Sequence, residues 1–167
     1  MLIPEDSGGA IVSRIGEAFA RLRRERRTGL VTYVTAGDPD MARSAGILQA
    51  LDRAGADVIE VGVPFSDPLA DGPVIQRATE RALAGGASLS GVLDMIERLR
   101  PSLRAPIVLF TYANPLFRMG LDAFGRRADE AGVDGVLVLD LPVEEAVEFH
   151  EAMAARGIDA FFLLSPT

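Results

Sequence analysis

The sequence contains no cysteine and no lysine, and it has a single histidine, His150. The absence of cysteine excludes disulfides, thiolate nucleophiles and thiolate-bound metals. One histidine is too few for a multi-histidine metal site, so we expect no metal. All 17 basic residues are arginine, which excludes a Schiff base on a lysine amine. Catalysis would therefore fall to carboxylates, hydroxyls, tyrosines and backbone dipoles, while arginine could only bind anions or stabilise charge.

Charge and hydropathy exclude two kinds of partner. The formal net charge is -7, so we expect no attraction to nucleic acid or to an anionic membrane. No apolar run approaches a membrane span, and Met1–Gly9 lacks the pattern of a signal peptide. We therefore expect a cytoplasmic protein, and 167 residues of which 49% are hydrophobic predict one globular domain over residues 1–167.

Short apolar strands alternate with amphipathic helices along the chain. We predict strands over residues 30–36, 57–63, 106–112, 135–141 and 159–165. We predict helices over residues 10–27, 38–54, 74–84, 90–99, 121–131 and 143–156, with Pro39 in a first turn and Ser90 as a cap. A weak repeat supports the pattern, because Gly55, Gly132 and Gly157 each end a helix two residues before a strand begins. Nearly continuous apolar strands in such a series are typical of a parallel sheet covered by helices.

Two α/β architectures fit this alternation, an open doubly wound sheet and a TIM (β/α)8 barrel. The turn Gly37-Asp38-Pro39 lacks the glycine pattern of a nucleotide-binding sheet. Polar residues instead gather at the carboxyl ends of the predicted strands, which favours the catalytic face of a barrel. They are Thr35, Asp38, Ser66, Asp67, Tyr112, Asn114, Asp140, Ser165 and Thr167. Five strands are fewer than a barrel needs, so we expect an incomplete barrel of about five βα units plus an N-terminal helix, either part of a longer chain or closed by something else.

One acid lies in an apolar strand. Glu60 is flanked by Val58-Ile59 and Val61-Gly62-Val63, so burial is expected to disfavour its ionised form. Asp67 and Asp71 follow on a proline-rich loop, and the three acids together suggest proton transfer. Other readings remain open: Glu60 could pair with an arginine, Asp71 could cap the next helix, and Asp67 could be a turn residue.

Three further features each have two interpretations. Several arginines lie at the end of the first helix, at positions 21–27. They are either cations stabilised by the helix dipole at its C-terminus or an anion-binding patch, and we prefer the first interpretation. Tyr112 is either a site residue or part of the core. Asp140 is either a site residue or a loop cap, whereas His150 lies on an outer helix and is expected to be packing or surface.

The stretch Glu60-Val-Gly-Val-Pro-Phe-Ser-Asp-Pro-Leu-Ala-Asp71-Gly-Pro73 resembles the signature of the tryptophan synthase alpha chain family. Three other segments agree in order and spacing: Tyr33-Val-Thr-Ala-Gly-Asp-Pro39, Tyr112-Ala-Asn-Pro115 and Gly135-Val-Leu-Val-Leu-Asp-Leu-Pro142. The resemblance runs from about Ile11 to Thr167 and covers about the first 60% of a family member.

This resemblance implies a TIM barrel that cleaves indole-3-glycerol phosphate to indole and glyceraldehyde 3-phosphate. It implies a beta-chain partner in an alpha2beta2 heterotetramer, with pyridoxal phosphate in the beta chain and no cofactor in this one. The catalytic carboxylates would be Glu60 and Asp71. The family's phosphate site would lie beyond Thr167. The remaining implied residues are Tyr33, Phe110, Tyr112 and Leu137 in the wall of the indole site, and Asp67 and Asn114 facing the partner.

The implied retro-aldol reaction suits two acids in unlike environments. Burial would raise the pKa of Glu60, which could then give and take protons near neutral pH. Asp71, on a more hydrated loop, would stay ionised and hold the ring N–H. One alternative is an inert module that binds or activates the beta chain. Another is a different phosphate-sugar barrel, such as an isomerase that uses two acids.

Overall fold

The computed structural model describes residues 13–163, which form a parallel sheet with helices outside it. The strands are β1 (Val31–Thr35), β2 (Val58–Gly62), β3 (Ile107–Thr111), β4 (Gly135–Val138) and β5 (Asp159–Phe161). The helices are α1 (Arg14–Glu25), α2 (Met41–Ala54), α3 (Pro73–Ala84), α4 (Leu89–Leu99), α5 (Ala113–Met119), α6 (Leu121–Ala131) and α7 (Val147–Ala154). Within residues 13–163, no helix has the length and apolarity that crossing a bilayer requires.

The strands lie side by side in chain order, β1-β2-β3-β4-β5, and every neighbouring pair is parallel. A doubly wound sheet would reverse its strand order part-way, whereas a barrel adds each strand on the same side of the last. The prediction of an incomplete barrel is therefore confirmed. The register sets Glu60 on β2 between Tyr33 on β1 and Val108 on β3.

Successive side chains along each strand point to opposite sides of the sheet, so the sheet has two different faces. One face packs against the helices as the main core, and it includes Ile59, Val61, Ile107, Leu109, Val136 and Val138. The opposite face, which corresponds to a barrel interior, is covered at one end by α1. Its buried residues are Ile15, Val58, Val108 and Leu137, and Phe19, Phe110, Leu139 and Phe161 pack against them. Glu60 follows Val58 by two residues, so its side chain belongs to this interior face.

Two helix starts differ from the sequence prediction. Helix α2 begins at Met41 after the cap Asp40, whose carboxylate accepts a hydrogen bond from the Arg43 amide at 2.7 Å, so Pro39 lies before the helix. Helix α4 is capped by Ser88, which accepts from the Gly91 amide at 3.2 Å. Both serines suit a cap by type, and the backbone at Ser88 is extended as a cap requires, so the prediction of Ser90 was wrong.

The chain after β3 differs more from the prediction. Helix α5 was missed because it has only seven residues and contains Pro115, which lies in the first turn, where the proline costs no intrahelical hydrogen bond. The predicted helix over residues 143–156 is divided into a short 3-10 turn, Val143–Glu145, and α7. The last strand ends at Phe161. The predicted helical residue Ile11 and the polar residues Ser165 and Thr167 lie outside the described residues.

The arginines at the end of α1 have a further role that neither sequence interpretation named. Arg27 donates two hydrogen bonds to the buried carboxylate of Asp57, at 2.9 and 2.7 Å, and Arg21 lies 3.5 Å from it. The same carboxylate accepts from the backbone amide of Leu30 at 2.9 Å. The side-chain hydrogen bonds of Arg27 hold the pKa of Asp57 down at about 2. This ion pair joins α1 to the starts of β1 and β2.

Candidate active site

Glu60 projects from the interior face of β2, where it is half-buried. Among residues 13–163 its carboxyl has no hydrogen-bond donor and no arginine within ion-pair distance, so the reading of a structural acid paired with arginine was wrong for the part of the chain described. Burial alone raises its pKa above the ordinary glutamate value. The structure therefore keeps one carboxyl partly dry and uncompensated, as the apolar run around it predicted.

Tyr33 lies next to Glu60 across the β1–β2 pair. Its ring meets the ring of Phe110 edge to face, with centroids 5.1 Å apart, and it passes over Gly62, where a Cβ would lie 2.7 Å from Tyr33 Cζ. Burial raises the pKa of Tyr33, and the negative charges of Asp71 and Glu60 raise it further. The Tyr33 phenol is therefore near enough to both predicted catalytic carboxylates for their charges to act on it.

Asp71 ends the loop between β2 and α3, and it is half-buried. Its carboxylate accepts a hydrogen bond from the Tyr112 hydroxyl at 3.2 Å, and its backbone carbonyl accepts one from the side-chain Nε2 of Gln76 at 2.9 Å. The cap position of α3 is Gly72, and no side chain makes a cap hydrogen bond there. The alternative that Asp71 caps this helix was therefore wrong, and its carboxylate faces Tyr112.

Tyr112 follows β3 and is only 4% exposed. Its hydroxyl accepts a hydrogen bond from the Ala70 amide at 3.0 Å while it donates to Asp71, and its ring lies 5.2 Å from that of Phe65. Burial raises the pKa of Tyr112 to about 12, with the charge and hydrogen bond of Asp71 adding to the rise. Sequence reasoning missed this bridge, since the only signal was a tyrosine directly after a strand.

The predicted apolar wall falls on adjacent strands. Phe110 and Leu137 are register partners on β3 and β4, and both belong to the interior face. Together with the Tyr33 ring they place apolar side chains from β1, β3 and β4 on the same interior face as Glu60. An arrangement of this kind can receive a flat apolar ring next to a carboxyl.

The residues predicted to face a partner are exposed. Asp67 accepts from the Ser66 hydroxyl at 2.6 Å, and its carbonyl accepts from the Leu69 amide at 2.9 Å, so it also serves as a turn residue. Asn114 lies in the first turn of α5 and is exposed. Leu69, at the tip of the same loop as Asp67, is 93% exposed.

Two other sequence alternatives are resolved by contacts. Asp140 accepts a hydrogen bond from the Ala113 amide at 2.7 Å, so its carboxylate supports the start of α5, as the loop-cap reading predicted. His150 is exposed on α7, as expected for a surface residue. Over residues 13–163, no three side chains of the metal-binding types histidine, aspartate and glutamate come together in a group that could hold an ion.

A family model described as tryptophan synthase alpha chain matches residues 19–167. The chain belongs to the tryptophan synthase alpha chain family. Curated relatives of that name include those of Burkholderia mallei, 56% identical over 157 residues, and Paraburkholderia phymatum, 57% identical over the same length. Each match covers 93% of this chain and 58% of the relative, so the chain spans less than two thirds of the tryptophan synthase alpha chains it matches.

Solved structures of this family have the same fold. The tryptophan synthase subunit alpha of Legionella pneumophila superposes with a TM-score of 0.91 at 41% identity, covering 94% of this chain and 60% of that one. A tryptophan synthase from M. tuberculosis in an open form gives a TM-score of 0.89 at 40% identity, covering 94% and 64%. The parallel sheet described above is thus part of an alpha-chain TIM barrel.

Proposed function

We propose that this chain supplies the acid–base residues of a tryptophan synthase alpha subunit, a lyase that cleaves indole-3-glycerol phosphate to indole and glyceraldehyde 3-phosphate. The observation that carries the proposal is Glu60, which is half-buried on the interior face of β2 and has no compensating charge among the described residues. Its raised pKa suits a group that both donates and accepts a proton near neutral pH. Membership of the family supplies the substrate.

In the proposed reaction Glu60 first donates its proton to the indole carbon that carries the glycerol chain, which leaves the ring nitrogen positive. Glu60 then takes the proton of the adjacent glycerol hydroxyl. The carbon–oxygen double bond of the aldehyde forms, the carbon–carbon bond breaks, and its electron pair returns to the ring. The carboxyl ends in its starting state, so no metal, cofactor or external oxidant is needed in this chain.

Asp71 would stabilise the intermediate charge. Its carboxylate is held by the Tyr112 hydroxyl and retains a second oxygen for the N–H of the indole ring. An ionised carboxylate beside that nitrogen is most valuable when the nitrogen is positive, which is the transition-state preference that catalysis requires. Phe110 and Leu137 would pack against the ring itself.

The test is Glu60→Gln in this chain joined to the C-terminal part of the Burkholderia mallei relative, which restores the length of a family member. General acid–base catalysis contributes about 10²–10⁴-fold, so indole release should fall by at least about a hundredfold. The matched control is Glu151→Gln on α7, an exposed glutamate without an ion pair in the described part of the chain. Equal activity of the two variants would contradict the assignment of Glu60.

A second function is supported by the exposure of Asp67, Leu69 and Asn114 around the same end of the sheet. We infer that this surface binds a beta chain, in an alpha2beta2 heterotetramer whose pyridoxal phosphate belongs to the partner. The chain could then activate that partner without turning over substrate itself. Mixing it with a beta chain and measuring serine deamination tests this, and absence of both binding and stimulation would rule it out.

A further inference from the structure

The loop between β2 and α3, residues 63–72, carries the proposed catalytic Asp71. Its first residues, Val63 and Pro64, are buried, but half of the loop is exposed, including Ser66, Asp67 and Ala70. The Gln76 side chain holds its backbone by donating to the carbonyls of Asp71 at 2.9 Å and Pro68 at 3.5 Å. These contacts fix where the chain runs, but they leave the direction of the Asp71 carboxylate free.

Tyr112 supplies the contact that the backbone anchors lack. Of the residues from 13 to 163, its hydroxyl is the one side-chain donor that reaches the Asp71 carboxylate, at 3.2 Å. The same oxygen accepts from the Ala70 amide at 3.0 Å, so one phenol binds two adjacent loop residues. Because the hydroxyl donates one hydrogen bond and accepts another, the direction of its proton is fixed. The two bonds also fix the distance of the loop from the end of the sheet.

The tyrosine is itself held by rigid neighbours. It directly follows β3, it is almost fully buried, and its ring packs against Phe65 at 5.2 Å. The next backbone amide in the chain, that of Ala113, donates at 2.7 Å to the carboxylate of Asp140, which lies two residues after β4. A group fixed on two strands in this way can orient an acid on a loop more accurately than the loop could alone.

We propose that Tyr112 is a positioning residue, whose hydroxyl orients the Asp71 carboxylate and fastens its loop to the end of β3 so that one carboxylate oxygen faces the substrate. This inference rests on the proposed function of Asp71. It assigns to the phenol a role separate from lining the indole site, since the hydroxyl is engaged with the loop. The ring can still contribute its apolar face to the wall.

The kinetic test is Tyr112→Phe in the completed chain, because phenylalanine keeps the ring against Phe65 and removes only the hydroxyl. Hydrogen bonds to charged groups are worth enough to predict a loss of about tenfold or more in kcat, with KM for the substrate changed by less than about threefold. The same substitution in an Asp71→Asn background should cost about twofold or less, because the group being oriented has lost its charge. Equal losses in both backgrounds would overturn the proposal.

A second measurement does not depend on activity. In the same protein, amide hydrogen exchange at Ala70 should become about two- to tenfold faster in Tyr112→Phe, because the amide loses its acceptor. Tyr33→Phe is the matched control for this measurement, since the Tyr33 hydroxyl contacts Thr35 at 3.4 Å and no loop residue in the described range. Unchanged exchange at Ala70 in Tyr112→Phe would refute the fastening of the loop, whatever the fate of the proposed function.

A variant on the other side of the ring covers the case in which Tyr112→Phe does not fold. Phe65→Leu removes the ring that packs on Tyr112 and leaves both hydrogen bonds to be made. The proposal expects faster exchange at Ala70 and a lower kcat here as well, each by less than in Tyr112→Phe. Wild-type exchange and wild-type kcat in this variant would contradict it. If neither the parent protein nor any variant releases indole, the proposed function is contradicted. The exchange measurement then still tests whether Tyr112 holds the loop.

Discussion

Asp57→Asn should destabilise the protein at neutral pH and make its stability less sensitive to acid. Asp57 immediately precedes β2, and its side chain is only 4% exposed. Its carboxylate accepts from Arg27 at 2.9 and 2.7 Å and from the Leu30 amide at 2.9 Å. Asparagine keeps the shape and the contact with Leu30, but it removes the charge that two arginines approach.

The size of the effect follows from the pKa of Asp57, which falls from an ordinary 3.8 to about 2 in the folded protein. At about 1.4 kcal/mol per pH unit, this difference contributes about 2 kcal/mol to the free energy of unfolding. Because the folded pKa is the lower one, the unfolded chain binds more protons in this window. The contribution is therefore complete above pH 4 or so and is lost as the pH falls towards about 2.

The assay is urea unfolding followed by circular dichroism at neutral pH and at several acid values. Asp57→Asn should be less stable than wild type by about 2 kcal/mol at pH 7, and the difference should shrink as the pH approaches about 2. Asp129→Asn on α6 is the matched control, an exposed aspartate without an ion pair in residues 13–163, and it should change stability by less than about 0.5 kcal/mol. A deficit in Asp57→Asn that stays constant down to the lowest pH would refute the reasoning.

Two further predictions concern the interior face. Gly62→Ala should displace the Tyr33 ring, because the new Cβ would lie 2.7 Å from Tyr33 Cζ, and should lower the free energy of unfolding by about 1–3 kcal/mol as well as lowering activity. The control is Gly46→Ala on α2, where a Cβ would have nothing within 4 Å, and it should raise the free energy of unfolding by about 1 kcal/mol. Equal shifts of the melting temperature in the two variants would contradict this prediction. At pH values above the raised pKa of Glu60, Glu60→Gln should be at least as stable as wild type, since the buried charge of Glu60 then destabilises the folded state. The prediction is contradicted if the wild type becomes more stable relative to Glu60→Gln as the pH rises.

The sequence identified the strands and the acid correctly because both depend on local pattern. Runs such as Val58-Ile59 and Ile107–Leu109 are short, apolar and rich in β-branched residues, as is typical of strands buried on both faces. The raised pKa of Glu60 follows from the same apolar run. Helix ends were less predictable, since Ser88 and Ser90 are chemically equivalent and only the backbone conformation selects one of them.

Contacts between distant segments could not be read from the sequence. Tyr112 meets Asp71 from a position 41 residues later, and Arg27 meets Asp57 from 30 residues earlier. Each contact depends on where a loop or a helix end lies relative to the sheet, which no residue pattern specifies. The composition indicated which groups were available, and the fold determined which of them became partners.

The two acids of the candidate site lie in different environments, and this difference is the physical basis of their proposed roles. Burial alone raises the pKa of Glu60. An indole ring placed against Phe110 and Leu137 would exclude more water and raise that pKa further. The carboxylate of Asp71 instead accepts a hydrogen bond from the Tyr112 hydroxyl, so it has a polar partner that Glu60 lacks among residues 13–163. Substrate binding would therefore strengthen the hold of Glu60 on its proton, while the phenol holds the Asp71 carboxylate in place beside the ring.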